Sequence, residues 1–461
     1  MFIDTHAHLD DRKLARDLDG VLRRALEAGV ERIVTVGADL PSSRRAAGIA
    51  RARDRVWATV GIHPHDAASA DSAAMGELAR LAGEPKVAAI GETGLDYYRD
   101  LSPRQAQRDA FEQHIDLALR MDLPLVVHCR DAWEECLEIL ERRAPEGLRG
   151  VAHCFSGDAA VGARLRAIGF LVSFAGNVTY PNAENLRAAA AQISAESLLV
   201  ETDCPYLPPQ PVRKQRNEPA FVVHTAAELA RVYGLSVEDV ARVTTFNADR
   251  LFGLGAGEER ETIVYPIRKG LYVNLTNRCS NRCRFCARET APHVKGHSLA
   301  LAEEPGAEAV EAAIGDASRY DEIVFCGFGE PTLRLDVLKQ VAAWVKRTAP
   351  ATRVRVNTNG HGSLLNDRPI CAELKGLVDA VSVSINAGER EAYAHLCRPE
   401  AGEGAFDAML AFVREAREAL PEVVVTAIDM PGADLAACQR LADELGVPLR
   451  VRKYDDVGTP E

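Results

Sequence analysis

Eight short apolar, β-branched runs recur through the first half of the chain, each separated from the next by a helical pattern. They are FID from 2, RIVTVG from 32, VWATVG from 56, VAAIGE from 87, LPLVVH from 123, GVAHCF from 150, FLVSFAG from 170 and LLVET from 198. Strands that are apolar throughout and alternate with helices predict a parallel sheet buried on both faces. Eight such units in about 250 residues match a closed (β/α)8 barrel of the TIM type. An open doubly wound sheet is the runner-up. The polar residues decide between them, because they fall at the ends of the runs, and in a barrel all strand ends meet at one rim.

Asp4, His6 and His8 follow the first run, Glu92 the fourth, His128 the fifth, His153 the sixth and Asp203 the eighth. A single histidine is more often a satisfied structural residue than a ligand. A buried ring of carboxylates and imidazoles, however, is costly unless cations neutralise it. Two divalent cations sharing Glu92 as a bridge would lower the pKa of a bound water toward ~7. Asp203 is placed to bind a metal and to accept the proton of the attacking water. His63 and His65, after the third run, and Arg130, Arg213 and Arg216 are candidate phosphate contacts, since a guanidinium engages two oxygens at once. Capping and loop roles compete for the histidines and for Arg213 and Arg216. Cys129 and Cys154 each follow a ligand histidine; successive strand residues face opposite sides, so both are expected in the core.

The segments THAHLD from 5, GIHPHD from 61, GETGLDYY from 91, HCRDA from 128, HCFSG from 153, ETDCPYL from 201, RKQRNEP from 213 and FNADRLFGL from 246 resemble the TatD family of metal-dependent deoxyribonucleases, within the amidohydrolase-like barrels. The resemblance covers residues 1 to about 254. It implies two divalent metals (magnesium, manganese or zinc) and phosphodiester hydrolysis of DNA, or of RNA, from a 3′ end. It also implies His6, His8, Glu92, His128, His153 and Asp203 as ligands, with Glu92 and Asp203 catalytic.

Composition narrows the partners. A net charge of -12 argues against sequence-independent wrapping of a nucleic-acid backbone, and 6% aromatic residues argue against an extended stacking platform. Charged residues occupy the place of a secretory h-region and no apolar run approaches ~20 residues, so a cytoplasmic protein without membrane association is expected. Eleven cysteines, three of them bunched, suit a metal site in a reducing compartment better than disulfides.

The bunch is CSNRCRFC, Cys279, Cys283 and Cys286, in the second half. A Gly- and Glu-rich stretch from 255 to 265 reads as a linker between domains at 1–254 and 266–461. Beyond it LYVNLT from 271, EIVFCGFG from 322, RVRVNTNG from 353, AVSVSINA from 380, EVVVTAID from 422 and PLRVRKY from 448 predict six strands of a partial, unclosed (β/α)6 barrel. A closed zinc site needs four protein ligands, and no second Cys-x-x-Cys pair lies nearby. Three thiolates suit a 4Fe-4S cluster with one iron left uncovered.

The Cys-x3-Cys-x2-Cys spacing with Phe285 before the last cysteine resembles the radical S-adenosylmethionine (SAM) enzymes, specifically those linked to TatD nucleases, over residues 262 to 461. Such enzymes cleave SAM to a 5′-deoxyadenosyl radical and draw on an electron donor such as flavodoxin or ferredoxin. The resemblance places SAM contacts on Phe285, Gly327, Gly329, Glu330, Asn357, Ser384 and Asn386, with Phe328 standing where relatives have glycine. Asn357, Ser384 and Asn386 are equally well read as strand-end turn residues.

The expected function is a bifunctional enzyme, a nuclease fused to a radical enzyme whose substrate the sequence does not disclose. Two other readings stand beside it. In one, the first barrel cleaves a small ester or amide, or an aminoacyl-RNA ester. In the other, the second half senses SAM or the cluster state without turnover.

Overall fold

The computed structural model describes residues 1–255, 262–286, 288, 293–294 and 296–453. The chain divides into two compact units, Met1–Gly257 and Glu258–Glu461.

In the first unit eight parallel strands follow one another in chain order: β1 (Phe2–Ala7), β2 (Val30–Val36), β3 (Val56–Val60), β4 (Val87–Asp96), β5 (Leu125–Arg130), β6 (Gly150–Ala152), β7 (Phe170–Phe174) and β8 (Leu198–Val200). A parallel bridge from Ala7 to Cys204, with His8 N donating to Cys204 O and Asp203 N to His6 O, joins the end of β1 to the segment after β8. The sheet therefore closes on itself at the end where the strands finish. The other end is filled from inside. Ile3, Ala89, Val126, Val151 and Leu199 pack against Leu251, Phe252 and Leu254, at and just after the end of the helix Val237–Phe252. That helix starts on a Ser236–Asp239 capping box and stops at Gly253, whose φ of 62° a side chain would disfavour. With one end plugged by apolar side chains, the polar strand ends at the other are where chemistry can be built.

Asp4 is not among the groups gathered at that mouth. It is fully buried and accepts from Thr202 N at 2.9 Å and from Thr202 Oγ1 at 2.6 Å, tying β1 to the chain after β8.

The second unit carries a seven-stranded sheet rather than six strands. Its strands are β9 (Val264–Ile267), β10 (Gly270–Val273), β13 (Glu322–Phe325), β14 (Arg353–Thr358), β15 (Ala380–Ser384), β16 (Glu422–Asp429) and β17 (Leu449–Lys453); a separate two-stranded pair, β11 (His293–Val294) and β12 (His297–Ser298), lies between. The additional strand, β9, begins inside the stretch expected to be linker and pairs antiparallel with β10, Pro266 opposite Leu271. A proline can sit there because β9 is an edge strand, with no further neighbour requiring its N–H. Residues 256–261 of the expected linker and 454–461 of the expected second domain lie outside the described residues.

Leu271, Val273, Ile323, Phe325, Val354, Val356, Val381 and Val383 face the helices in one apolar core. By strand alternation the opposite face receives Tyr272, Arg355, Asn357, Ser382 and Ser384. The second sheet is thus apolar toward its helices and polar on its other side. Among the described residues no helix is long and apolar enough to cross a membrane, and none of the eleven cysteines is in a disulfide.

His114, which is not among the expected ligands, supplies a stability test. It is fully buried, accepts from Ile62 N through Nε2 at 3.0 Å, and its pKa falls from 6.5 to about 4 because burial penalises the charged ring. The unfolded chain therefore binds the extra proton between those values. Stability is fully present above pH 6.5 and lost as the pH falls toward 4, at ~1.4 kcal/mol per unit and ~3 kcal/mol in all. Urea unfolding of wild type and His114→Gln near pH 7.5 and near pH 5 should show wild type losing ~2 kcal/mol more than the variant.

Candidate metal centre and cysteine loop

At the barrel mouth Glu92 is the hub. It ends a wholly apolar stretch of β4 and is 3% exposed, so its carboxylate must find partners inside the protein. Oε1 lies 2.8 Å from His153 Nε2, 3.0 Å from His128 Nδ1 and 3.3 Å from His63 Nε2; Oε2 lies 3.4 Å from His6 Nε2 and 3.9 Å from His8 Nε2. The two oxygens thus address two separate groups of imidazoles. Asp203 joins the second group, with Oδ1 3.4 Å from His8 and 3.9 Å from His6. His6, His8, Glu92, His128, His153 and Asp203 are therefore all brought together.

Outer carboxylates fix the ring orientations. Asp96 Oδ2 receives His128 Nε2 at 3.2 Å and His65 Nε2 at 2.9 Å. Glu201 Oε1 lies 3.3 Å from His153 Nδ1 and accepts from Cys154 N at 2.7 Å. Such partners set which nitrogen faces the centre. Neither Asp96 nor Glu201 was singled out in the sequence, although both stand in the quoted motifs; the available signal was an acid within an otherwise apolar strand end.

The electrostatics follow from burial and crowding. Burial alone would protonate Glu92, yet His153, His63 and His128 hold it well below the usual carboxylate range. Burial opposes charge on His8, but Asp203 and Glu92 outweigh it and raise its pKa to about 9. Burial dominates at His63 and lowers it to about 4. His6 is fully buried and neither ring nitrogen makes a hydrogen bond. An unsatisfied buried imidazole beside two carboxylates is a ligand in want of a cation, so the donor set fits divalent metals. The described residues offer three such groupings, including His6–His8–Asp203 and His63–Glu92–His128.

His63, expected on phosphate, instead lies within the cluster. Its Nδ1 accepts from His65 N at 3.1 Å, so Nε2 carries the proton and directs it at Glu92. Arg130 and Arg213 sit over the rings of Tyr98 and Tyr180, at 3.8 Å and 4.3 Å from the centroids. Arg216, by contrast, is committed to Lys13 O and Glu218, which removes it from the free phosphate clamps. Tyr98 is 59% exposed and Tyr206, edge-on to His8 at 5.7 Å, is 51% exposed. The low aromatic content hid these open faces. Cys129 is buried as expected, but Cys154 is only partly so.

In the second unit the cysteines occupy the segment after β10. Backbone bonds dock it on the end of the helix Arg390–Cys397: Arg282 N donates to Cys397 O at 3.1 Å, Arg284 N to Leu396 O at 3.0 Å, and Glu400 N to Ser280 O at 2.8 Å. The segment carrying Gly327 and Gly329 passes so close that a Cβ at Gly329 would meet Thr276 O at 2.2 Å and Arg278 O at 2.4 Å, and one at Gly327 would meet Asn274 Oδ1 at 2.0 Å. Phe328 packs with Tyr265 and Leu299. Cys279, Cys283 and Cys286 are partly exposed and in no disulfide, and Asn281 N and Asn359 Nδ2 donate to Cys279 Sγ at 3.5 Å and 3.7 Å. Amide donors aimed at a sulfur suit a thiolate ligand, so the residues fit a cluster.

Glu330, expected at the SAM amino group, is turned inward. Oε1 accepts from Thr332 Oγ1 at 2.7 Å and Thr358 Oγ1 at 2.8 Å, and Oε2 from Asn359 N at 2.7 Å. Asn357 Oδ1 receives Arg355 at 3.4 Å and Ser384 meets Thr426 at 3.4 Å. Asn386 is buried at a φ of 54°, its Oδ1 without a partner and its Nδ2 3.8 Å from Cys397 Sγ. Phe285 is buried beside the cysteines it separates.

Residues 3–253 match the family described as TatD related DNase, and residues 273–445 match the Radical SAM superfamily. An uncharacterized metal-dependent hydrolase of Bacillus subtilis, YabD, is 40% identical over 252 residues, 55% of this chain and 99% of its own. The 3'-5' ssDNA/RNA exonuclease TatD of Erwinia amylovora is 36% identical over 257 residues, 54% of this chain and 99% of its own. The crystal structure of YJJV, a TatD homolog from Escherichia coli, superimposes with a TM-score of 0.52 at 29% identity, covering 55% of this chain and 98% of that one. The chain accordingly belongs to the TatD family of metal-dependent hydrolases and carries a radical SAM domain behind the hydrolase barrel.

Proposed function

We propose that the first unit is a nuclease removing nucleotides from the 3′ end of single-stranded DNA or RNA, and that the second is a 4Fe-4S radical SAM enzyme. The observation carrying the first part is the division of Glu92, one oxygen toward His6 and His8, the other toward His128 and His153. Glu92 with His6, His8 and Asp203 on one side and His128 and His153 on the other would hold two divalent cations. Bound there, divalent cations would supply an acidified water and neutralise charge on a phosphodiester. Asp203, at a left-handed φ of 54° and 14% exposed, turns its carboxylate to the mouth and accepts the proton of the attacking water. Asp96 and Glu201 hold His128 and His153 in register. His63 points its Nε2 proton inward, toward the oxygens at the centre. Exposed Tyr98 and Tyr206 offer faces for unpaired bases, and the exonuclease relative acts on the same class of substrate.

For the second unit, the support is the cysteine segment held against the helix end and the amide donors on Cys279. A cluster held there with one iron free of protein ligands would bind SAM and cleave it reductively. The domain division at 254–266 and the SAM contacts at Gly327, Gly329, Asn386 and Phe285 belong to this reading.

Glu92→Gln should lower manganese-dependent cleavage of a 3′-labelled single-stranded oligonucleotide at least ~10³-fold while leaving the melting temperature of the metal-free protein within a few degrees. Equal activity in the two proteins sinks the nuclease reading, and cleavage of a carboxylic ester in preference to DNA replaces it. Glu201→Gln should weaken metal affinity ~10–100-fold, read by calorimetric titration. Anaerobically reconstituted wild type should hold four irons per chain and form 5′-deoxyadenosine with reductant and SAM, and Cys283→Ala should do neither. Zinc in place of iron and sulfide would refute the cluster.

A further inference from the structure

Behind Cys279 lies a continuous buried network. Asn359 Nδ2 donates to Cys279 Sγ at 3.7 Å and to Ser280 Oγ at 2.8 Å. Ser280 Oγ meets His361 Nδ1 at 3.0 Å, His361 Nε2 meets Tyr393 OH at 3.0 Å, and Asn281 Nδ2 returns to Tyr393 OH at 3.3 Å. Asn281 N then donates to the same sulfur at 3.5 Å, so the ring of contacts begins and ends on Cys279. Ser280, Asn281, Asn359, His361 and Tyr393 are each under 9% exposed. The amide orientation of Asn359 is fixed, because His361 N donates to Oδ1 at 3.0 Å and leaves Nδ2 for the sulfur. Its backbone is fixed as well, by the Glu330 carboxylate.

We propose that Asn359, held by Glu330 and by the Ser280–His361–Tyr393 chain, is a positioning residue that sets the reduction potential of the iron–sulfur cluster through Cys279. The proposal rests on the cluster reading above. The reduced cluster carries one more electron, part of it on the sulfurs, so N–H donors to Cys279 stabilise it and raise the potential. Bonds polarised along the Tyr393–His361–Ser280 chain strengthen the pair at its end. Tyr393 also packs in the apolar core of the second unit, so its replacement must keep the ring.

The test is an EPR-monitored redox titration of the anaerobically reconstituted full chain, with iron and sulfide quantified first. Asn359→Asp keeps the acceptor for His361 N but removes the donor and adds charge. It should lower the reduced-to-oxidised ratio at fixed potential at least tenfold, a fall of about 59 mV for a one-electron couple. Tyr393→Phe, isosteric and remote from the sulfur, should move the midpoint the same way by a smaller step. A wild-type midpoint in Asn359→Asp, even with lowered thermal stability, overturns the proposal and leaves a structural role only. If that variant takes up no iron, Tyr393→Phe decides, and an unchanged midpoint there overturns it. Absence of iron and sulfide from wild type overturns the cluster reading and this proposal with it.

Discussion

A carboxylate with almost no access to water, ringed by five imidazoles, governs the first barrel. Burying an ion costs several kcal/mol even after relaxation, and Glu92 recovers this only through partners close enough to share its charge. The histidines cannot all be protonated at once, since neighbouring imidazolium rings repel. Burial prevails at His63 and lowers it to about 4, whereas Asp203 and Glu92 prevail over burial at His8 and raise it to about 9. His6 makes no hydrogen bond at all through its ring. Divalent cations resolve this better than protons, because each one satisfies several lone pairs simultaneously and brings two charges to a single point.

The barrel exists to hold that arrangement still. His6, Glu92 and His128 arrive from three strands, and His8, His153 and Asp203 from residues just beyond the ends of β1, β6 and β8, so their separation depends closely on sheet register. Left-handed backbone at Cys154 and Asp203 turns the chain just where β6 and β8 give way to the mouth. Backbone of that kind persists when packing on both sides overdetermines it, and the closing bridge with the plugged far end provides such packing.

The strands were legible because a strand buried on both faces must be apolar throughout, and the ligands because polar groups ending such runs break the pattern. Roles that depend on which ring nitrogen faces which oxygen were not. His63 stands in the sequence as it would for a phosphate contact, and only its bond from His65 N shows the proton aimed at Glu92. Asp4 has the residue type and the spacing of a ligand, yet Thr202, nearly two hundred residues away, claims both oxygens. In the second unit the cysteines were legible because one short segment carries all three. β9 was not, since four residues with a central proline carry no strand period. Glu330's partners were hidden for the same reason as those of Asp4: Thr358 and Asn359 come from the next strand and the turn after it.

The two centres differ in kind, and the difference bears on how one chain can load both. Imidazole and carboxylate donors at the barrel mouth suit magnesium, manganese or zinc, whereas thiolates prefer soft partners such as iron–sulfur clusters and also zinc. Geometry has to separate what affinity does not. At the mouth, six ligands are pre-set by strand register and by Asp96 and Glu201, which favours a pair of cations over one. On the cysteine segment only three thiols are offered, while Asn281 and Asn359 crowd the side of Cys279 facing the protein. Cys397 lies within hydrogen-bond reach of Cys283 and would be the fourth thiol for tetrahedral zinc, whereas a cluster that brings its own sulfide needs no fourth protein ligand.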